Sequence, residues 1–383
     1  MTTRPLKIMR VIARMNVGGP AWQVSVLTRG LSEPEFDSIL VCGYVSDGEA
    51  DFVSLRDPDL PCRKIEGLGR SIKPLDDIRA LISLIKLMRA ERPDIVHTHT
   101  AKAGVLGRVA AIVARVPIRV HTFHGHVLQG YFSARVTKLI VLIERLLAFQ
   151  TSALAAVGAQ VRDDLLAAGI GEPSKYLVVP PGVAITSKVD RPEARRRLGL
   201  PLDAPIALFV GRLTKIKRAD RLVEAFRLVQ QAVPDAVLAI AGEGDLLEET
   251  KRLAADLGDS VRFLGWQSDL AAVYPAADVV VLTSDNEGMP VTLIEASMLG
   301  IPCVTTNVGS AGEVVVHERT GFVTSTSPHE IAASLVRILS DRDLAQRLGV
   351  QAHQHAETNF SASRLVDDHA RLYRQLSGGR SFR

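Results

Sequence analysis

Short apolar runs alternate along the chain with longer stretches in which apolar residues recur every three to four positions. The short runs predict buried strands, and the periodic stretches, such as Leu75–Ala90, predict helices. The strand candidates are Ile8–Ala13, Ser38–Cys42, Ile95–His97, Arg119–Phe123, Leu154–Val157, Tyr176–Val179, Ile206–Val210, Val237–Ala241, Val261–Leu264, Val279–Leu282 and Cys303–Thr305. Strands that alternate with helices predict an α/β fold with parallel, doubly wound sheets.

The stretch Pro180–Pro205 separates two series of strands and is rich in Pro, Gly and Arg, which is typical of a linker. At 383 residues the chain exceeds one usual domain. We therefore predict a Rossmann-like domain at 1–185, a second at 186–360, and a final helix within 361–383.

The composition, 47% hydrophobic and 23% charged, is that of a globular protein. The net charge of +4 is small, and the chain contains no block of basic residues interleaved with aromatic residues. Nucleic-acid binding is therefore not indicated. There are 23 basic and 17 acidic residues through residue 185, against 23 and 25 in the remainder. A basic first half suits an anionic acceptor or membrane surface, and ordinary surface variation is the alternative.

Cysteine usage and apolar runs bear on the location of the protein. Cys42, Cys62 and Cys303 lack metal-ligand spacing, and their odd number does not indicate a disulfide framework. Residues 1–6 lack an apolar signal core, and no apolar run reaches about 18 residues. We expect a reducing, cytoplasmic location.

The segment Asn286–Glu295 carries two carboxylates, Glu287 and Glu295, around a Gly-Met-Pro turn. It follows a strand candidate, and Leu293, Ile294, Ala296 and Leu299 predict a short helix that Gly300 ends, with Glu295 about a turn and a half into it. Glu287 is thus expected at the carboxyl end of a strand, where ligands bind in open α/β sheets. The free N–H groups of the helix start would face an anion such as a diphosphate.

This segment resembles the E-x7-E signature of the retaining nucleotide-sugar glycosyltransferases of family 4. The resemblance implies the GT-B fold, in which two Rossmann-like domains face a cleft and the last helix returns to the first domain. It assigns donor binding to the second domain and acceptor binding to the first. In relatives of this kind no protein nucleophile is expected.

Gly211–Arg218 follows the first strand of the second domain and resembles the G-R-(x)4-K motif of the family. Arg212 and Lys217 would stabilise the departing diphosphate, because the leaving group gains charge as the glycosidic bond breaks. Many members have Gly where this chain has Arg218, so the local turn is expected to differ. A solvated basic loop is the alternative.

Three further segments match the family in order. Gly18-Gly19-Pro20 corresponds to its glycine loop, although a simple tight turn would give the same pattern. Gly242-Glu243-Gly244 corresponds to a loop near the diphosphate, and Arg262–Gly265 to the base pocket, and either could be a turn.

His121–His126 resembles the T-x-H of the family, which singles out His124 beside the donor sugar. Strand alternation would place Thr122, His124 and His126 on one side and His121 on the other. A Zn site is the alternative, and no suitably spaced Cys, Asp or Glu supports it.

His97-Thr98-His99 is similar to an H-x-H near the acceptor cleft, with His97 the better candidate for a packed residue. Lys102 and Arg108 follow it and could hold an acceptor diphosphate, or they could be solvated. Asp57-Pro58-Asp59 is a D-x-D, and its Pro-rich loop favours a turn. We therefore expect no metal and no cofactor.

Ser133–Phe149 is predicted as an amphipathic helix with positive charge at Arg135, Lys138 and Arg145. Such a helix could dock on a membrane. We favour packing on its own sheet.

Together these motifs predict a hexosyl or N-acetylhexosaminyl transferase that uses a nucleotide-sugar, on family frequency a UDP-sugar. Lys102–Arg108 and His121–His126 resemble bacterial polysaccharide and lipid-linked oligosaccharide transferases, which implies a polyprenyl-diphosphate-linked acceptor and possible peripheral contact with the inner membrane face. The alternatives are a small-molecule acceptor, a UDP-N-acetylglucosamine 2-epimerase and a non-catalytic partner subunit. The predicted site residues are catalytic His124, Arg212, Lys217 and Glu287; donor-binding Gly18, Gly19, Arg212, Lys217, Gly242, Gly244, Glu287, Gly288, Met289, Pro290 and Glu295; and acceptor-binding His99, Lys102 and Arg108.

Overall fold

A computed structural model describes residues 4–46, 48–69, 71–125 and 133–378. The chain divides into two compact units. The first contains the described residues up to Gly182 together with those from Ala362 onward, and the second is Val183–Ser361.

All strands pair in parallel, in two sheets. The strands are β1 Leu6–Arg14, β2 Phe36–Gly43, β3 Cys62–Lys64, β4 Ile95–His99, β5 Ile118–Phe123, β6 Ala153–Ala156, β7 Tyr176–Val178, β8 Ile206–Val210, β9 Val237–Ala241, β10 Val261–Gly265, β11 Val279–Leu282, β12 Cys303–Thr306 and β13 Gly321–Thr324. The helices are α1 Gly19–Gly30, α2 Phe52–Arg56, α3 Pro74–Glu91, α4 Ala101–Val113, α5 Ala134–Phe149, α6 Ala159–Ala167, α7 Arg191–Arg197, α8 Ala219–Ala232, α9 Leu247–Leu253, α10 Leu270–Val273, α11 Val291–Met298, α12 Ala311–Val314, α13 Pro328–Ser340, α14 Arg342–Phe360 and α15 Ala362–Ser377.

The first unit is built on a seven-stranded sheet in the order β3-β2-β1-β4-β5-β6-β7. Neighbouring residues of β1 enter different cores, because successive side chains of a strand point to opposite faces. Met9 packs with α3 and α4, whereas Ile8 packs with α1 and α15. The last helix is thus part of this unit, where Tyr373 lies within its apolar core.

The second unit has a six-stranded sheet in the order β10-β9-β8-β11-β12-β13. Its inner strands β8, β9 and β11 are buried along their whole length, as expected when helices cover both faces of a parallel sheet. The two parallel sheets confirm the predicted α/β, doubly wound fold.

The stretch predicted as a linker, Pro180–Pro205, contains the helix α7. Asp190 caps its start by accepting from the Glu193 N–H, and Pro192 occupies the first turn. The buried Arg195 then forms an ion pair with the partly buried Asp278. From Val183 onward the segment therefore belongs to the second unit, where several of its Pro and Arg residues form part of a capped helix.

The cysteines depart from expectation. Cys42 on β2 and Cys62 on β3 form a disulfide, with Cα atoms 6.7 Å apart, and Cys303 is free and buried. Because β2 and β3 are adjacent parallel strands, the sheet brings together two residues whose sequence spacing carries no pairing signal. Among the described residues, none of the helices has both the length and the apolar composition that a bilayer span requires.

Candidate functional site

The second sheet has a switch point between β8 and β11. From β8 the chain steps outward to β9 and β10, and then returns to place β11 on the other side of β8. In open parallel sheets ligands bind outside the carboxyl ends of the strands at such a point. The loops there are Gly211–Arg218 after β8 and Thr283–Pro290 after β11, which carry the two predicted donor motifs.

Gly242 allows the loops after β8, β9 and β10 to pack tightly. Its φ is +148°, and a Cβ atom there would overlap the carbonyl oxygen of Gly211. The Gly211 N–H donates to Ala241 and the Gly242 N–H to Gly265, at 3.0 and 2.8 Å. A Cβ on Gly244 would likewise overlap backbone of the β8 loop. The structure thus gives both glycines a packing role, and donor binding by them stays a prediction.

The two cations of the G-R-(x)4-K motif differ in their surroundings. Arg212 is exposed, and within the described chain no ion pair or hydrogen bond engages its guanidinium. Lys217 ends a short 3-10 turn, Lys215–Lys217, and its Nζ donates to Glu287 Oε1 at 2.6 Å. One cation is therefore open to an anion, and the other already holds a carboxylate from the E-x7-E segment.

Arg218, which stands where many members have Gly, adopts a left-handed backbone with φ 52° and ψ 55°. Its guanidinium forms ion pairs with Asp220 and Asp285, each at 2.9 Å. A glycine would take this conformation without a Cβ penalty. The turn therefore places the arginine in a conformation suited to Gly, and surface ion pairs hold its side chain.

Each carboxylate of the E-x7-E segment accepts from a fully buried hydroxyl. Ser284 donates to Glu287 Oε1 at 2.5 Å, and Tyr274 donates to Glu295 Oε2 at 2.7 Å. Burial, and then the charge of Glu295, raise the pKa of the Tyr274 hydroxyl well above its usual value. Tyr274 therefore stays protonated and acts as a donor. These contacts orient both carboxylates.

No sequence motif singled out Ser284 or Tyr274. Ser284 lies three residues before Glu287, so a local signal was present. Tyr274 precedes Glu295 by 21 residues and meets it only through the fold.

The helix α11 begins at Val291, so Glu295 lies in its second turn, as predicted. Pro290 precedes it, and no side chain of the described residues caps the start. The Met289 side chain is buried, and the Gly288 carbonyl accepts from the Ser310 N–H at 3.0 Å. The turn can therefore offer a ligand backbone groups, mainly the free N–H groups of the helix start.

In the first unit, histidines gather at the carboxyl ends of β4 and β5. His99 Nδ1 and His124 Nε2 lie 3.0 Å apart, and His97 contacts the hydroxyls of Tyr373 and Thr122 at 2.6 and 2.7 Å. His97 is thus packed, as expected. His99 is also fully buried, which counts against direct acceptor contact by this residue.

The histidine cluster of the first unit consists of His97, His99, His121, His124 and His369. Burial, followed by the neighbouring histidines and arginines, lowers the pKa of His97, His99 and His121 well below the usual value, because each would repel a second positive charge. Burial lowers the pKa of His124 to about 3 and that of His369 to about 4. The cluster is therefore neutral near pH 7, and His124 can offer an uncharged ring nitrogen. His126 lies outside the described residues.

The structure gives Arg108 and Lys102 roles other than acceptor binding. Arg108 is buried, and it pairs with Glu144 at 2.7 Å while donating to the Gly104 carbonyl. Presenting it to an acceptor would leave a buried carboxylate unpaired. The Nζ of Lys102 pairs with Asp77 at 2.5 Å and donates to two backbone carbonyls, so it is neither solvated nor free.

Gly18 and Gly19 form the start of α1, at the carboxyl end of β1. Gly18 is extended, and a Cβ there would meet only the Asn16 carbonyl oxygen, at 3.9 Å. The glycine loop thus leaves open space beside the helix start, which is compatible with the predicted ligand approach.

The D-x-D segment is used internally. Asp57 accepts from Ser25 at 2.7 Å and pairs with Arg29 at 2.5 Å. In the described ranges no group of three or more His, Cys, Asp or Glu side chains could hold a metal ion.

Two family models match the chain. The model for glycosyl transferases group 1 covers residues 190–355, and the model for the glycosyl transferase 4-like domain covers residues 18–182. A UDP-Gal:alpha-D-GlcNAc-diphosphoundecaprenol alpha-1,3-galactosyltransferase of Escherichia coli is 31% identical over 324 residues, which are 82% of this chain and 83% of the relative. The chain is a glycosyltransferase of the family 4 type.

Other relatives and structures agree with the predicted family. This glycosyltransferase is 31% identical over 334 residues to a D-inositol 3-phosphate glycosyltransferase of Geodermatophilus obscurus, covering 80% of this chain and 73% of the relative. The structure of Anabaena HepE in complex with UDP and glucose matches with a TM-score of 0.82 and 22% identity, covering 97% of this chain and all of that one. The likeness confirms the GT-B fold.

Proposed function

We propose that this glycosyltransferase transfers a hexose or N-acetylhexosamine from a UDP-sugar to a hydroxyl of a polyprenyl-diphosphate-linked sugar, with retention of anomeric configuration. The Escherichia coli relative supports the donor and acceptor, because its name specifies UDP-Gal and a GlcNAc-diphosphoundecaprenol. A lipid-linked acceptor implies work at the inner membrane face in the biosynthesis of cell-surface polysaccharide.

The observation that carries the proposal is the arrangement at the carboxyl edge of the second sheet. The open cation Arg212, the Lys217–Glu287 pair and the Tyr274–Glu295 pair come from loops and elements around one switch point. Cations and a free helix start suit a diphosphate, and oriented carboxylates suit sugar hydroxyls. We assign the ribose hydroxyls to Glu295 and the donor-sugar hydroxyls to Glu287.

In the proposed reaction the bond from the anomeric carbon to the diphosphate breaks, and a bond to the acceptor oxygen forms on the face that the leaving group vacates. The acceptor proton passes to a phosphate oxygen of the donor, and the nucleoside diphosphate leaves. Arg212 and Lys217 stabilise the charge that develops on the leaving group. Neutral His124 supplies a hydrogen bond beside the donor sugar.

We also propose that transfer needs no metal ion, because two side-chain cations and a helix start supply the positive charge that a diphosphate requires. Turnover that persists in EDTA supports this. Loss of turnover in EDTA with recovery on addition of Mg2+ would refute it.

The function is tested by measuring binding and slow hydrolysis across UDP-, GDP- and ADP-sugars. Lys217→Ala should lower the rate with the preferred donor by on the order of a hundredfold. Lys215→Ala is the matched control, because Lys215 is an exposed lysine in the same turn. If no nucleotide-sugar binds, or if both variants lose activity equally, the assignment of the site is wrong.

The D-inositol 3-phosphate relative favours a small anionic acceptor as the second candidate. Incubation with donor and either a polyprenyl-diphosphate-linked sugar or an inositol phosphate separates the two by the product formed. Product analysis without acceptor tests the epimerase alternative. Turnover by the purified chain alone would exclude a non-catalytic partner subunit.

A further inference from the structure

The helix α5 exposes a continuous apolar stripe on the surface of the first unit. Its large apolar side chains Val136, Leu139, Leu142, Leu146 and Phe149 are between 43% and 78% exposed. They recur every three or four residues, so they line one side of the helix. Single exposed apolar residues are ordinary, but a row of five is the type of patch that marks an interaction surface.

The opposite side of α5 is anchored, so the helix cannot turn its stripe inward. Leu147 and Ala148 are buried there, and Glu144 forms the buried pair with Arg108 of α4. Rotating the helix would carry Glu144 away from Arg108 and leave the buried guanidinium without its carboxylate. The packing predicted for this helix is therefore correct for one side only.

The charge on the exposed side of α5 is entirely positive. Arg135, Lys138 and Arg145 are exposed, and Lys138 and Arg145 lie two turns apart along one edge of the stripe. The single acidic residue of the helix, Glu144, is the buried one. Two copies of this surface would bring like charges together, whereas anionic headgroups would complement them.

A second apolar row lies on α3. Leu75, Ile78 and Ile82 are exposed at helical spacing, and Lys86 and Arg89 follow on the same helix. Both α3 and α5 pack against α4. All three helices connect strands in the same direction along the sheet, so right-handed crossovers place them on one face of it.

We propose that this helical face, with the α5 stripe at its centre, docks the enzyme on an anionic lipid bilayer. The proposal deepens the proposed function, because a polyprenyl-linked acceptor is held in such a bilayer. Apolar side chains would enter the boundary of headgroups and acyl chains, and the flanking cations would contact lipid phosphates.

The test is co-sedimentation of the full chain with vesicles of phosphatidylcholine and phosphatidylglycerol. Leu139→Gln/Leu146→Gln should lower the partition coefficient by about tenfold or more. The matched control is Leu202→Gln/Val350→Gln, which changes two comparably exposed apolar residues of the second unit and should bind as wild type does. Lys138→Glu should weaken binding to anionic vesicles and leave the small residual binding to pure phosphatidylcholine unchanged.

Two further measurements separate the possible outcomes. Donor hydrolysis and transfer to a water-soluble, short-chain acceptor should be the same for wild type and both double variants. If these activities are normal but wild type does not bind anionic vesicles, the docking proposal fails and the proposed function stands. If Leu139→Gln/Leu146→Gln converts a dimer to a monomer without changing vesicle binding, the occupant of the stripe is a second copy and the proposal is overturned.

Discussion

The change Tyr274→Phe removes one oxygen atom from a fully buried side chain. That oxygen donates to Glu295 Oε2 at 2.7 Å, and it stays protonated because burial and the nearby carboxylate raise its pKa. Phenylalanine keeps the ring and its packing. The change therefore isolates the hydrogen bond that orients Glu295.

The size of the effect follows from the charge of the acceptor. A hydrogen bond to a charged group contributes about 1.5 to 3 kcal/mol. If Glu295 holds the ribose hydroxyls in the orientation that this bond sets, the dissociation constant for UDP should rise about 10- to 150-fold. The rate at saturating donor should change little, since the proposed contact is remote from the bond that breaks.

Calorimetric titration with UDP and steady-state kinetics measure the two quantities separately. The control is Tyr176→Phe, which removes a hydroxyl that donates to the Ile170 carbonyl at 2.8 Å in the other unit. Unchanged UDP affinity in Tyr274→Phe would refute the reasoning. Equal weakening by both variants would show a general loss of stability instead of a local effect on Glu295.

Three further predictions concern stability, each measured by urea or thermal unfolding. Gly242→Ala forces a Cβ onto the Gly211 carbonyl oxygen and should lower the free energy of unfolding by about 2 to 4 kcal/mol. The control Gly258→Ala, with φ +51° and open space around the new Cβ, should lower it by only about 1 to 2 kcal/mol. Equal losses in the two variants would contradict the packing argument. Arg218→Gly relieves a left-handed backbone but loses surface ion pairs, and these two effects oppose each other. The free energy of unfolding should therefore change by less than about 1 kcal/mol. A loss above about 2 kcal/mol would mean that the ion pairs contribute more than the backbone strain costs. Folding lowers the pKa values of the histidine cluster, so below about pH 6.5 the unfolded state binds more protons than the folded state. As the pH falls below this value, the free energy of unfolding should decrease by about 1.4 kcal/mol per pH unit for each histidine held neutral. An unfolding free energy that stays constant from about pH 6.5 to about pH 5 would contradict this.

Features that depend on residues close together in the sequence were predicted correctly. The apolar runs identified eleven of the strands, because burial on both faces of a parallel sheet leaves a continuous apolar signal. The strands that the apolar pattern did not predict, β3 and β13, are short and lie at the edges of their sheets. The turn before α11 and the position of Glu295 within it were also local features.

Pairings across the fold were not predictable in this way. Nothing in the sequence distinguishes Arg108 and Lys102 from cations that face solvent. In the fold, Arg108 pairs with Glu144 and Lys102 pairs with Asp77. Which partner a charged side chain meets depends on which elements become neighbours, and a periodic pattern carries no information about that.

The sequence by itself determined the fold class, the family and the loops that carry the donor motifs, because these depend on local patterns of burial, glycine and charge. Only the tertiary structure decided that Cys42 meets Cys62, that Tyr274 holds Glu295, and that one side of α5 stays uncovered. Amphipathicity indicates that a helix has two different sides. Which side finds a partner is set by the number of elements that the sheet can bring against it, and that is a property of the whole fold.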